Sequence, residues 1–449
     1  ARLFGTDGVR GIANGELTVE LALSLAVSAA HVLGEAGAFQ GRPRAVVGRD
    51  TRVSGEFLQA AVMAGLASAG VDVVDAGVVP TPGLAYLTGS DGFDLGVMLS
   101  ASHNPMPDNG IKFFQRGGVK LDDLIEDTIE QRLSDDWQRP VGADVGRIMP
   151  DPTLRQRYVE HLINSQGPDS LRGIKVVVDC ANGSASFTAL PAFRACGADV
   201  VGIHDRPNGL NINDHCGSTH LADLQVQVVA RHADVGIALD GDADRCMAVD
   251  ATGQVVDGDQ IMAILALDLK AQGKLVEDTL VATVMSNLGL INAMREHGIR
   301  VQQTKVGDRY VLEEMVANGF VLGGEQSGHI IMREYANTGD GVLTGLHLVG
   351  RMASSGQTLA ELASVMRRLP QAMVNVPDVD KLRVSLDPEI MQAVTRANQQ
   401  LAGTGRVVLR PSGTEPVVRV MVEAPSQEEA QRVAEQLAEV VRSRISLVA

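Results

Sequence analysis

Short β-branched and aliphatic runs punctuate the first three quarters of the chain, separated by longer segments with helical spacing. They fall into three sets of three: residues 45–47, 71–74 and 95–98; then 176–178, 199–201 and 235–239; then 280–284, 299–301 and 320–322. Strands alternating with helices predict mostly parallel sheets covered on both faces. Leu21 to Leu33 reads as an amphipathic helix capped near Thr18. After Pro370 the style changes: Val407–Leu409 and Val417–Val422 read as strands around a loop, and Ser426 to about Ser443 as a helix. The predicted fold is α/β, with three successive mixed or mostly parallel α/β/α sandwich domains and a smaller C-terminal α+β domain. The expected limits are 1–150, 151–252, 253–370 and 371–449, with Pro and Gly clustered at the first boundary, around Arg139–Pro152.

In such sheets ligands gather beyond the carboxyl ends of strands. The third strand of each set runs into a polar loop: Ser-Ala-Ser-His-Asn-Pro at 100–105, Asp-Gly-Asp-Ala-Asp-Arg at 240–245 and Gly-Glu-Gln-Ser-Gly-His at 324–329. Three equivalent strand ends read as three walls of one site. Gly241 and Ala243 are small spacers that let Asp240, Asp242 and Asp244 converge on one hard cation, Mg²⁺ or Mn²⁺. Ser102 alone would be an ordinary turn former. Beside that acidic loop, a phosphorylated Ser102 would add a fourth oxygen ligand and a group for transfer. The chain has no G-x-S-x-G elbow, so an acyl-enzyme hydrolase is poorly supported. His103 would orient the serine or move a proton. Lys112, on the strand just beyond, would neutralise phosphate charge or act as a base. Glu325 and Ser327 can bond sugar hydroxyls with His329 close by, and Gly323, Gly324 and Gly328 let the backbone approach a ligand.

Acidic residues outnumber basic ones 55 to 39, for a formal charge of −16. That surface repels phosphate backbones and anionic membranes, and 3% aromatic residues offer few stacking platforms for bases. No nucleic-acid or membrane partner is expected. A small anionic substrate would need a local basic cluster, and Arg410, Ser412, Gly413 and Thr414 supply one, with Arg419 on the following strand. Lys305, Gly307, Asp308 and Arg309 form a similar polar turn. Cys180, Cys196, Cys216 and Cys246 contain no C-x-x-C pair and read as scattered buried thiols in a reducing compartment. Leu21–Leu33 is too short to span a bilayer, and Asp7 and Glu16 spoil a signal-peptide n-region, so the expected location is cytoplasmic.

Taken together, the motifs resemble the α-D-phosphohexomutase superfamily, from Leu-Phe-Gly-Thr-Asp-Gly-Val-Arg-Gly at 3–11 to Arg419. Within it they are most similar to the bacterial phosphoglucosamine mutase family, through that opening, Ala-Ser-His-Asn-Pro-Met-Pro-Asp-Asn-Gly-Ile-Lys at 101–112 and Gly-Gly-Glu-Gln-Ser-Gly-His at 323–329. The resemblance implies four domains around a central cleft, a phosphoserine at Ser102, and Mg²⁺ on Asp240, Asp242, Asp244 and the phosphoserine oxygen. It puts sugar contacts on Glu325 and Ser327 and the phosphate site on Arg410, Ser412, Gly413, Thr414 and Arg419. Arg10, Lys112, Arg245 and Lys305 fall at positions for charge stabilisation or proton transfer. The implied reaction converts glucosamine 6-phosphate to glucosamine 1-phosphate through a 1,6-bisphosphate that also primes the enzyme. It would supply UDP-N-acetylglucosamine and cell-wall synthesis, in a homodimer.

Two other mutase specificities stay open within the superfamily, for mannose and glucose phosphates, because a few hydrogen bonds decide between sugars. Outside it, the same acidic loop would suit a Mg²⁺-dependent phosphatase, which holds no phosphate on Ser102. A non-catalytic sugar-phosphate sensor that kept the fold is the third alternative.

Overall fold

The computed structural model describes residues 2–412 and 416–447. The chain forms two compact units. One runs to Val281 and resumes over Gly307–Ala363; the other comprises Ala282–Val306 and the chain from Ser364 on.

In the first unit one sheet has the order Val9–Ile12, Asp108–Gln115, Leu95–Leu99, Arg44–Arg49, Asp72–Val78, Ile148–Pro150. Arg44–Arg49 is parallel to both Asp72–Val78 and Leu95–Leu99. The pleat alternates its side chains: Ala45 and Val47 pack with Leu25 and Leu58 on one face, Val46 with Leu84 and Leu87 on the other. Thr18 caps the helix Val19–Glu35 by accepting from the Leu21 amide, as its sequence suggests. The short edge strand Ile148–Pro150 carries no apolar alternation and is exposed throughout, which is why periodicity passes over it.

The second sheet has the order Val255–Val256, Cys246–Asp250, Val235–Leu239, Lys175–Asp179, Asp199–Ile203. Lys175–Asp179 is parallel to both Asp199–Ile203 and Val235–Leu239. In each set the polar loop leads to an antiparallel return strand, of which the first, carrying Lys112, is expected from the sequence. Leu95–Leu99 pairs antiparallel with Asp108–Gln115, Val235–Leu239 with Cys246–Asp250, and Leu322–Gly324 with Ile330–Met332. The three loops are therefore hairpin turns, which fix both ends of each loop to a sheet. All four cysteines are buried and free.

The second unit carries an antiparallel sheet ordered Gln371–Pro377, Val417–Glu423, Arg406–Pro411. Ile390 and Ala397 of the helix Pro388–Gln400, and Val433, Leu437 and Val441 of the helix Gln427–Ile445, pack on it. This is the α+β segment expected after Pro370. Among the described residues no helix is long and apolar enough to cross a membrane.

Candidate active site

Ser102 lies in the turn after Leu99, 2% exposed, with φ +53. Its Oγ donates to Asp240 Oδ2 at 2.8 Å, from the turn of the neighbouring sheet. Asp240, Asp242 and Asp244 are buried, and one carboxylate oxygen from each lies within 4.8 Å of the others. Burial, then repulsion from Asp244 and Asp242, pushes the Asp240 carboxyl well above the usual range. Asp242 is pulled the other way. Burial would raise it, but the Lys112 charge, a 2.6 Å hydrogen bond from Thr81 Oγ1 and the Arg10 charge bring it down to about 2. Oδ1 of Asp242 and Oδ1 of Asp244 have no hydrogen-bond partner among the described residues. Converging carboxylates with spare oxygens and a repelled carboxyl fit a hard divalent cation, which would relieve all three conditions.

Positive groups surround this cluster. Lys112, 3% exposed, lies opposite Met98 in the sheet, and its Nζ is 3.5 Å from Asp242 Oδ2. His103 Nδ1 is 3.5 Å from Ser102 Oγ; burial, then the Arg245 and Arg10 charges, lowers its pKa and keeps the ring neutral near pH 7. Arg245 follows the three aspartates, its backbone N–H 3.3 Å from Asp240 Oδ1. The Nε atoms of Arg10 and Arg245 are buried without a hydrogen-bond partner among the described residues. Two unanswered guanidinium donors whose charges both act on His103 suit an anionic ligand.

The turn carrying Glu325, Ser327 and His329 packs against this cluster. Gly328 has φ +96, and any Cβ there would collide with the Cys246 carbonyl. The Gly328 carbonyl accepts from the Cys246 N–H at 2.9 Å, tying the turn to the strand that follows Arg245. His329, 5% exposed, has Nε2 3.9 Å from Asp244 and 3.7 Å from Asp308, and Asp308 bonds Lys120, which also reaches Asp7 at 3.2 Å. Glu325 is partly buried and accepts from the Gly307 N–H at 3.2 Å; burial raises its pKa. Ser327 is exposed.

In the second unit, Arg410 and Arg419 stand directly opposite in the antiparallel register, a pairing of like charges that a bound anion would stabilise. Ser412 is buried, and its carbonyl accepts from Lys381 Nζ at 2.7 Å. Gly413 and Thr414 lie outside the described residues. Lys305 follows the strand Arg300–Thr304 of the same unit.

Sequence reasoning read the third strand of each set and the Lys305–Arg309 turn after residues 299–301, and missed what the other strand ends contribute. Thr81, just after Asp72–Val78, holds Asp242 through its hydroxyl and, at 3.0 Å, through its N–H to the Asp242 carbonyl. Asp50 and Arg52, just after Arg44–Arg49, lie beneath the Ser102 turn. Parallel strands deliver all their carboxyl ends to one edge, so the same rule applied to every strand would have found these residues.

Models of phosphoglucomutase/phosphomannomutase alpha/beta/alpha domains I, II and III match residues 1–139, 156–253 and 257–369, and the C-terminal domain model matches 373–440. The chain is 65% identical over 449 residues to the phosphoglucosamine mutase of Cutibacterium acnes, covering 100% of both chains. Its fold is similar to a phosphoglucomutase/phosphomannomutase family protein from Burkholderia thailandensis, with TM-score 0.81 and 26% identity over 98% of this chain and 97% of that one. It is also similar in fold to Aspergillus fumigatus N-acetylphosphoglucosamine mutase in complex with GlcNAc-6P and magnesium, with TM-score 0.63 and 21% identity over 90% of this chain and 83% of that one.

Proposed function

The chain belongs to the phosphoglucomutase/phosphomannomutase family, and from that premise we propose that it interconverts glucosamine 6-phosphate and glucosamine 1-phosphate, with Ser102 as the phosphoryl carrier. The observation that carries this reading is the buried Ser102 Oγ set 2.8 Å from one of three convergent carboxylates. The full-length relative at 65% identity supports the amino sugar.

In this reading Asp240, Asp242, Asp244 and the Ser102 oxygen would hold Mg²⁺, which supplies positive charge to offset that of a phosphoryl group in transfer. The sugar hydroxyl of glucosamine 6-phosphate attacks phosphorus on Ser102. The phosphorus–Oγ bond breaks with its electron pair left on Oγ, and the 1,6-bisphosphate forms. His103, held neutral, takes the proton of the attacking hydroxyl; Lys112, Arg10 and Arg245 face the phosphoryl oxygens. The bisphosphate reverses, Oγ attacks its 6-phosphorus, the phosphorus–O6 bond breaks, O6 takes the proton back from His103, and glucosamine 1-phosphate leaves. Glu325, Ser327 and His329, with Lys305, bind sugar hydroxyls, and Arg410, Ser412, Gly413, Thr414 and Arg419 grip the phosphate that is not reacting.

A hexosamine or hexose 1,6-bisphosphate primes the serine. Domain limits at 1–150, 151–252, 253–370 and 371–449 belong to the same reading, as do a homodimer and a cytoplasmic site of action, the last supported by four free thiols. A coupled assay offering glucosamine, glucose and mannose 6-phosphates side by side tests the substrate; faster turnover of either neutral sugar refutes the amino-sugar assignment. Intact mass tests the carrier. One phosphate should be present after priming and absent in Ser102→Ala.

A further inference from the structure

Ser102 occupies a backbone conformation with φ +53, which a serine holds only under outside constraint. The constraint is visible beneath the turn. Arg52 is 1% exposed, and all five of its guanidinium N–H groups have acceptors. Nε donates to Asp50 Oδ2 at 2.9 Å, Nη1 to the carbonyls of Pro105 at 2.5 Å and Asp108 at 3.1 Å, and Nη2 to those of Ser102 at 3.1 Å and Asn104 at 3.0 Å. One buried cation thus collects four carbonyls from residues 102–108.

Asp50 completes the device. Its Oδ1 accepts the Arg52 N–H at 2.9 Å, and its Oδ2 also accepts Ser100 Oγ at 2.6 Å. Ser100 Oγ in turn accepts the Ser102 N–H at 3.0 Å. Asn213 Nδ2 takes a second grip on the Ser102 carbonyl at 2.8 Å. Both peptide groups of Ser102 are therefore fixed, and with them the direction of Oγ toward Asp240. A lysine in place of Arg52 has three donors from one point and cannot reproduce this fork. A buried ion pair is a poor source of stability compared with apolar packing, which leaves orientation as the reason for placing one here.

We infer that Arg52, with Asp50 and Ser100, is a positioning set that holds Ser102 in line for phosphoryl transfer. The inference rests on the assignment of Ser102 as the carrier. Phosphoryl transfer depends on alignment of the attacking and leaving oxygens, and a misplacement of about 1 Å lowers the rate on the order of 10²-fold. The sugar contacts lie elsewhere, so substrate affinity should survive.

The test uses the full-length enzyme with Mg²⁺ and glucose 1,6-bisphosphate as primer, and compares wild type, Arg52→Lys and Ser100→Ala. The expected result is a kcat about 10²-fold lower in Arg52→Lys and about 10-fold lower in Ser100→Ala, with KM for glucosamine 6-phosphate within about twofold. Phosphorylation of Ser102 from the bisphosphate, followed by intact mass, should slow in parallel. If Arg52→Lys does not fold, Ser100→Ala decides, because it removes one hydroxyl and no charge. Folded variants with wild-type kcat and phosphorylation rate overturn the inference, as does a change confined to KM. A wild-type enzyme that takes no phosphate on Ser102 overturns the carrier assignment itself, and the two failures are thereby distinct.

Discussion

Gly341 opens the helix Gly341–Ser355 immediately behind the acidic turn, and its N–H donates to the Ala243 carbonyl at 2.8 Å. A Cβ at this position would collide with the Arg245 carbonyl oxygen and stand 2.7 Å from its carbon and 2.9 Å from Leu239 Cδ2. Carbon atoms rest about 3.5 Å apart, so in Gly341→Ala clearing the carbonyl carbon alone takes a recoil of about 0.8 Å, and clearing its nearer oxygen takes more. The helix cannot supply it, because Val342, Leu343, Leu346, Leu348, Val349 and Met352 are all buried. The Asp240–Arg245 turn yields instead, carrying the carboxylates with it. Strain from such overpacking runs to about 1–3 kcal/mol, which in a unit this large predicts a melting temperature lower by about 1–4 °C. The larger effect is on chemistry: kcat should fall on the order of 10²-fold, and half-saturating Mg²⁺ should rise on the order of 10-fold. Steady-state kinetics across a Mg²⁺ titration, beside a thermal melt, reads all three quantities. A Gly341→Ala enzyme with wild-type kcat and Mg²⁺ dependence would refute the claim that the helix start sets the position of the acidic turn.

Three further outcomes follow from particular contacts. Thr81→Val removes the 2.6 Å hydrogen bond to Asp242 while keeping the backbone contact, so Mg²⁺ half-saturation should rise on the order of 10-fold, for a loss of about 1.5 kcal/mol. Arg419→Met removes one of two opposed guanidinium groups, and KM for glucosamine 6-phosphate should rise on the order of 10-fold or more with kcat little changed. His347, bonded to Ser165, is lowered by burial to about 4. Because its folded pKa lies below its unfolded value, the stability it contributes is present above about pH 6.5 and lost as pH falls toward 4, up to about 3 kcal/mol. His347→Gln should flatten that part of the stability–pH curve in urea titrations; an unchanged slope would show that His347 is not responsible.

The strand runs and the three polar loops were legible because each is a local pattern. A buried strand announces itself in four or five residues, and Asp-Gly-Asp-Ala-Asp carries its own spacing. The strand-end rule also brings Ser102 to the acidic loop, across the 138 positions that separate it from Asp240. What escaped was a partnership outside those loops: Thr81 meets Asp242 across 161 positions, with nothing in either neighbourhood to announce the other. Arg52 looks like an ordinary charged residue near a strand end, and only burial shows that it has no solvent to face. Lys112 was placed correctly on a strand, but that strand's antiparallel return, which turns the side chain toward Asp242, could not be read from periodicity. The domain limits remain a proposal, since the contact pattern of the fold divides the chain into two units.

The four buried cysteines make the protein report on its own motions. Cys180, Cys196, Cys216 and Cys246 have no exposed surface, and burial holds every thiol above its ordinary pKa, Cys196 at about 11 and Cys216 at about 12. Such a thiol offers neither access nor thiolate to an alkylating reagent while the fold is closed. Its labelling rate therefore measures how often the surrounding structure opens. Cys246 is the informative position, because its N–H is bonded to Gly328 of the turn that carries His329. Alkylation there, timed with and without sugar phosphate, would clock the parting of two walls of the site with a native atom and no added label.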